Sequence, residues 1–83
     1  METSVKIYAI CDSHDIYTGL RLARLDCRLV VNADELRTAL DEIGPEVGMI
    51  IVNASLAAIG TDIIEAYKQK NKSMLFAIIY QID

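Results

Sequence analysis

Tryptophan is absent from this 83-residue chain, proline and histidine occur once each, and cysteine occurs twice. Two cysteines are too few for the disulfide framework of a small secreted domain or for a Cys/His zinc site. Cys11 and Cys27 both stand in apolar, strand-like surroundings, which reads as buried, reduced thiols. Positive charge is scarce as well: eight Lys and Arg against twelve Asp and Glu leave a formal net charge of −4. General binding to nucleic acid or to an anionic membrane is therefore disfavoured, because both select for an excess of basic side chains. Long hydrophobic segments are missing too. Runs such as Met74 to Tyr80 fall far short of the roughly 20 residues that span a bilayer, so no direct membrane insertion is expected. No signal-peptide pattern precedes Val5, and the chain is expected to be soluble and cytoplasmic.

What is present is apolar residue, at 53% of the chain. A domain this small buries only about 60 to 65% of the surface its unfolded chain exposes, so the stability margin is thin. So high an apolar fraction points to surface shared with a partner. Four runs rich in Val and Ile read as strands: Val5 to Cys11, Cys27 to Val31, Val47 to Val52, and Met74 to Tyr80. None alternates cleanly between apolar and polar, the pattern of parallel strands buried on both faces. Helical segments separate them. In the first, Ile16, Gly19, Leu22 and Ala23 form one sector with Leu20 at its edge, and Tyr17, Arg21 and Arg24 line the other side. In the second, Leu36, Ala39, Leu40 and Ile43 follow i, i+3, i+4, i+7 spacing, Asn32 and Glu35 match a capping box, and Gly44-Pro45 ends the helix. The third runs from Ser55 to Gln69 and buries Leu56, Ile59, Ile63, Ala66 and Tyr67, with Gly60-Thr61 kinking it or restarting it on a Thr61 N-cap. The order βαβαβαβ predicts a single α/β domain over 1–83, a flavodoxin-like three-layer fold with a parallel four-stranded sheet of order 2-1-3-4.

In such folds ligands bind beyond the carboxyl ends of the strands, which directs attention to Cys11 to Asp15, Asn32 to Asp34, Asn53 to Ser55 and Gln81 to Asp83. The first of these loops, Asp12-Ser13-His14-Asp15, lacks glycine and carries two carboxylates, so it cannot cradle a phosphate. A receiver domain needs an Asp at the end of the third strand and a Lys after a fifth; here the third strand ends in Asn53 and there is no fifth. Cys11 suits the position of the phosphorylated thiol in sugar-phosphotransferase IIB domains, but Asp12 and Asp15 beside it raise a thiol pKa and repel phosphate. A metal role for His14 requires convergence with Asp12 and Asp15. Asp12 reads more simply as a loop residue accepting N–H bonds at the start of the first helix. No catalytic residue and no cofactor site are assigned.

Two surfaces are candidate interfaces. Tyr17, Arg21 and Arg24 place hot-spot residue types at i, i+4, i+7 on one helix face. With order 2-1-3-4 only the first helix covers its side of the sheet, which leaves the third and fourth strands open there. On the fourth strand Met74, Phe76, Ile78 and Tyr80 share one side and Leu75, Ala77 and Ile79 the other. The larger set is expected on the open side, docking a partner protein or a second copy of the chain.

The strand Lys6 to Cys11 followed by Asp12, the helix signature Gly19-Leu20-Arg21-Leu22-Ala23, the strand Val47-Gly48-Met49-Ile50-Ile51-Val52 and the later Ile63-Ile64-Glu65-Ala66-Tyr67 together resemble the F subunit of V-type and archaeal A-type rotary ATPases, from about Val5 to Ile79. The resemblance implies a non-catalytic component of the central rotor stalk, bound to the coiled-coil D subunit of the rotor and to other V-type ATPase subunits. It helps couple ATP hydrolysis or synthesis to ion transport, at the cytoplasmic side of a membrane-bound complex. Arg24 and Leu25 stand where that family often closes the helix with glycine, and the sequence stops at Asp83, where the family continues into a loop and a C-terminal helix. The alternative is a phosphotransfer domain with Cys11 as phosphoacceptor.

Overall fold

The computed structural model describes residues 6–80. Val5 and the segment 81–83, expected to open the first strand and to border the strand ends, lie outside the described residues. Four strands, β1 (Lys6–Cys11), β2 (Asp26–Leu29), β3 (Val47–Asn53) and β4 (Leu75–Ile79), alternate with helices α1 (His14–Leu22), α2 (Ala33–Asp41), α3 (Ala54–Ile59) and α4 (Thr61–Lys70). The sheet is wholly parallel with order β2-β1-β3-β4, as the continuous apolar runs and the right-handed crossover rule require. Its register slips once, at Gly48, between the Lys6–Val47 and Ile7–Met49 pairs.

The two sides of the sheet are covered unequally. On one side α2, α3 and α4 enclose the main core, in which Ile10, Val30, Leu36, Leu40, Ile50, Val52, Leu56 and Ile64 are buried. On the other side α1 packs chiefly on β2 and β1.

Each helix start has a local cause. Ser13 caps α1, its Oγ accepting from the Ile16 N–H at 3.4 Å. Asn32 caps α2 by accepting from the Glu35 N–H at 2.9 Å, and the Glu35 carboxylate accepts from the Val31 N–H at 2.9 Å. This is the expected capping box with its return bond moved one residue back. The third helical segment divides into α3 and α4 at Gly60, and Thr61 does not cap. Its hydroxyl donates back to the carbonyls of Ala57 and Ala58, and it serves as the first residue of α4. The break shifts the helical phase, so Ile64 rather than Ile59 reaches the core, and Ile59 is 56% exposed. Gly60 is needed for room, since a Cβ there would run into the buried Leu36 side chain and meet the Leu56 carbonyl at 3.2 Å. Gly60→Ala should therefore lose about 1–3 kcal/mol of stability in urea denaturation, the usual range for overpacking a filled core.

The close of α1 answers the absence of glycine there. Leu25 N–H donates to Leu20 C=O at 3.1 Å and Arg24 N–H to Arg21 C=O at 2.9 Å, with Arg24 at φ 64. This is a Schellman motif whose left-handed position, ordinarily glycine, is arginine. A side chain at that φ is strained. Arg24→Gly should raise stability by about 1 kcal/mol, read as a higher urea midpoint with an unchanged m-value.

Candidate functional site

The carboxyl ends of β1 and β3, the point where strand order reverses and α/β folds bind ligands, are occupied by a closed polar clasp. Asn53, 2% exposed, donates through Nδ2 to Asp12 Oδ1 at 2.6 Å and to Ser55 Oγ at 2.8 Å. Ser55 Oγ donates to the same Asp12 oxygen at 2.8 Å, and Asn53 Oδ1 accepts from the Asp12 N–H at 3.1 Å. The expected role of Asp12, accepting N–H bonds at the start of α1, is thus corrected: Ser13 caps, and Asp12 reaches across to β3. Both amide hydrogens and the amide oxygen of Asn53 are used, which is how a buried amide avoids its desolvation cost. Sequence spacing could not pair residues 41 positions apart, although the strand order places the two strand ends side by side.

Cys11 is 1% exposed beneath α1, and its thiol donates to Ser13 C=O at 3.8 Å. Burial pushes this thiol up from its ordinary pKa, with Cys27 and Asp12 adding to the rise against the Ser13 hydrogen bond. That is the setting of an inert structural thiol. Cys27 is also raised, by burial first, while Arg21 draws it partly back. Cys27 is level with Ala9 and Cys11 with Leu29, a two-residue offset that separates the two cysteine Cα atoms by about 8 Å, too far to bridge. His14 and Asp15 are exposed at the start of α1. Among the described residues no group of three or more His, Cys, Asp or Glu side chains could hold a metal ion, and no helix is long and apolar enough to cross a membrane.

The residues proposed as interfaces are distributed differently from expectation. Tyr17 is half-buried, with Arg21 6.0 Å from its ring centre. Leu22, assigned to the inner sector, is 80% exposed. The inner face of α1 is made by Ile16, Tyr17 and Leu20, because these carry the bulk, whereas Gly19 and Ala23 have almost none to bury. Arg24 lies beyond the helix in the Schellman turn and shares no helical face with Arg21. Cys27 donates to Tyr17 C=O at 3.7 Å and senses the Arg21 charge, so the Tyr17–Arg21 edge of α1 looks toward β2. Gly19 and Ala23 therefore border the half of the sheet over β3 and β4.

That half-sheet is uncovered on the α1 side, but the side chains facing outward are not the expected ones. Met74 and Phe76 pack against the main core under the helices, where the Phe76 ring meets Tyr67 edge-on at 5.9 Å. Ile78 follows on that same side, lining a small recess with Val52 and Phe76, and Tyr80 stands just past the strand at 71% exposed. The bulky set fills the space under α4. The open side is left to Leu75, Ala77 and Ile79 with Met49, Ile51 and Ile7, in rows Ile7–Met49–Leu75 and Ala9–Ile51–Ala77. Leu75 is 60% exposed.

Comparison with known proteins gives no matching family model and no match among curated proteins. The local chemistry of the clasp can be tested directly. Asn53→Asp replaces two donated bonds by a second carboxylate against Asp12, and the deficit should be about 2 kcal/mol at pH 7. Two adjacent carboxylates raise the native-state pKa of the pair above its unfolded value, so the deficit should be present above that pKa and disappear as pH falls through it. Urea midpoints of wild type and variant across pH 3.5 to about 8 check this.

Proposed function

We propose that this chain is a non-catalytic interaction protein of the kind its resemblance implies: the central-stalk F subunit of a V-type or A-type rotary ATPase. In this reading it binds the elongated coiled-coil D subunit of the rotor and works at the cytoplasmic surface of a membrane-bound complex, passing rotation between the hydrolysing head and the ion-carrying ring. One observation carries the reading. Residues of the two stretches that bear the resemblance, Gly19 and Ala23 on α1 and Met49 and Ile51 on β3, are left out of the main core and lie toward the same uncovered half of the sheet, and Leu22 of the same helix is exposed.

The shape of that half suits a helix. α1 covers two strands, which leaves two more at about 4.8 Å spacing, a strip about 10 Å wide and therefore one helix across. The small side chains of Gly19 and Ala23 at its wall let a helix lie close to α1, and the floor of Leu75, Ala77, Ile79, Met49 and Ile51 carries no charge.

Co-expression with the coiled-coil rotor protein encoded in the same genome should give a one-to-one complex on size exclusion with light scattering. Leu22→Glu combined with Leu75→Glu should weaken that complex by about tenfold or more, since both side chains are exposed and apolar. The thermal midpoint of the isolated chain should hardly move. A complex that survives both charges unchanged, or a chain that never co-elutes with the coiled coil, would overturn the reading.

A further inference from the structure

The two outer strands of the sheet are guarded unequally. β2 has four residues, and its Asp26 and Arg28 are ion-paired, to Lys6 at 3.3 Å and to Glu42 respectively. Charged side chains along an edge are the usual protection against strand addition. β4 has none. The run Met74 to Tyr80 contains no charge, proline or glycine, and it is bonded to β3 alone, so its outer N–H and C=O groups have no strand partner among the described residues. Leu75, Ile78 and Tyr80 are exposed along it, at 60%, 46% and 71%.

We propose that the β4 edge pairs antiparallel with the β4 edge of a second copy, about a two-fold axis through Ala77, to give one continuous eight-stranded sheet. The sequence of the strand is self-complementary about that residue. Leu75 of one copy lies opposite Ile79 of the other, Phe76 opposite Ile78, and Met74 opposite Tyr80. Every cross-strand pair is apolar, with no like charges opposed, and the pairing sets an aromatic against a β-branched side chain on each side of the axis. On the helix side, α4 brings Glu65 and Lys68 near β4, Lys68 Nζ standing 5.3 Å from the centre of the Phe76 ring. A two-fold along this seam sets opposite charges across it as well as like ones, so no single-sign repulsion builds up. The occupant is a second β4 rather than β2 of another copy, because Asp26 and Arg28 on β2 would be laid against uncharged β4 residues. A five-residue strand pair is a small interface, so dissociation is expected on the order of 100 µM.

The proposal concerns the strand edge and not the open face, and it does not depend on the stalk reading. Sedimentation equilibrium of the whole chain should show a monomer at low concentration and twice that mass in the millimolar range. Ala77→Glu and Ala77→Lys each set like charges across the axis and should each remain monomeric. Mixed together they should recover a heterodimer, seen by native mass spectrometry, which also shows that both variants fold. A wild-type chain monomeric throughout, single variants that dimerise as well as wild type, or a mixture with no heterodimer would each overturn the proposal.

Discussion

A parallel sheet whose strands are apolar on both sides has to be covered on both sides, and this chain supplies four short helices for the task. Three of them go to one face, where Ile10, Leu36, Ile50 and Leu56 are completely buried. α1 goes to the other. The placement follows from the order β2-β1-β3-β4, since right-handed crossovers send the connection after β1 to one side and those after β2 and β3 to the opposite side. Most other features of the molecule are consequences: the bulk of Phe76 turned toward α4, the half-exposed floor over β3 and β4, and the burial of Cys11 beneath α1.

The strand and helix order was legible in the sequence because it rests on composition averaged over whole runs. Val47 to Val52 read as a strand apolar on both faces and is one, although only its helix-side face is fully covered, and Leu36, Ala39 and Leu40 pointed inward as their spacing required. Orientation was harder to read. The inner sector of α1 came out rotated by about a quarter turn, since Gly19 and Ala23 count as apolar without offering anything to bury. The fourth strand came out reversed for a related reason: period two divides a strand into two sets but does not say which set faces the helices, and here volume decides, the larger side chains filling the space beneath α4. In the third helical segment, Gly60 reset the phase and exchanged Ile59 for Ile64.

The strand ends were legible only in part. Asn53 in place of a carboxylate was visible, and so was the acidic, glycine-free loop after β1. That Asp12, Asn53 and Ser55 close on one another was not, because the pairing links residues brought together by topology alone. The clasp changes what the switch point means in this molecule. Where other α/β architectures leave donors free for a ligand, here they are spent on holding β1 and β3 in register, and the region acts as a fastener.

The uncovered half of the sheet also has a bearing on how such a protein is maintained in a cell. A domain that completes its apolar cover only by contact draws part of its stability from occupancy, in proportion to the logarithm of partner concentration over the dissociation constant. Copies in excess of the partner remain at the lower, unassisted stability, open more often, and are the ones that proteases and chaperones remove. On the stalk reading proposed above, the half-covered sheet would make the abundance of the chain self-adjusting: synthesis need not match the partner's, because surplus molecules would be recognised by the very surface that assembly hides.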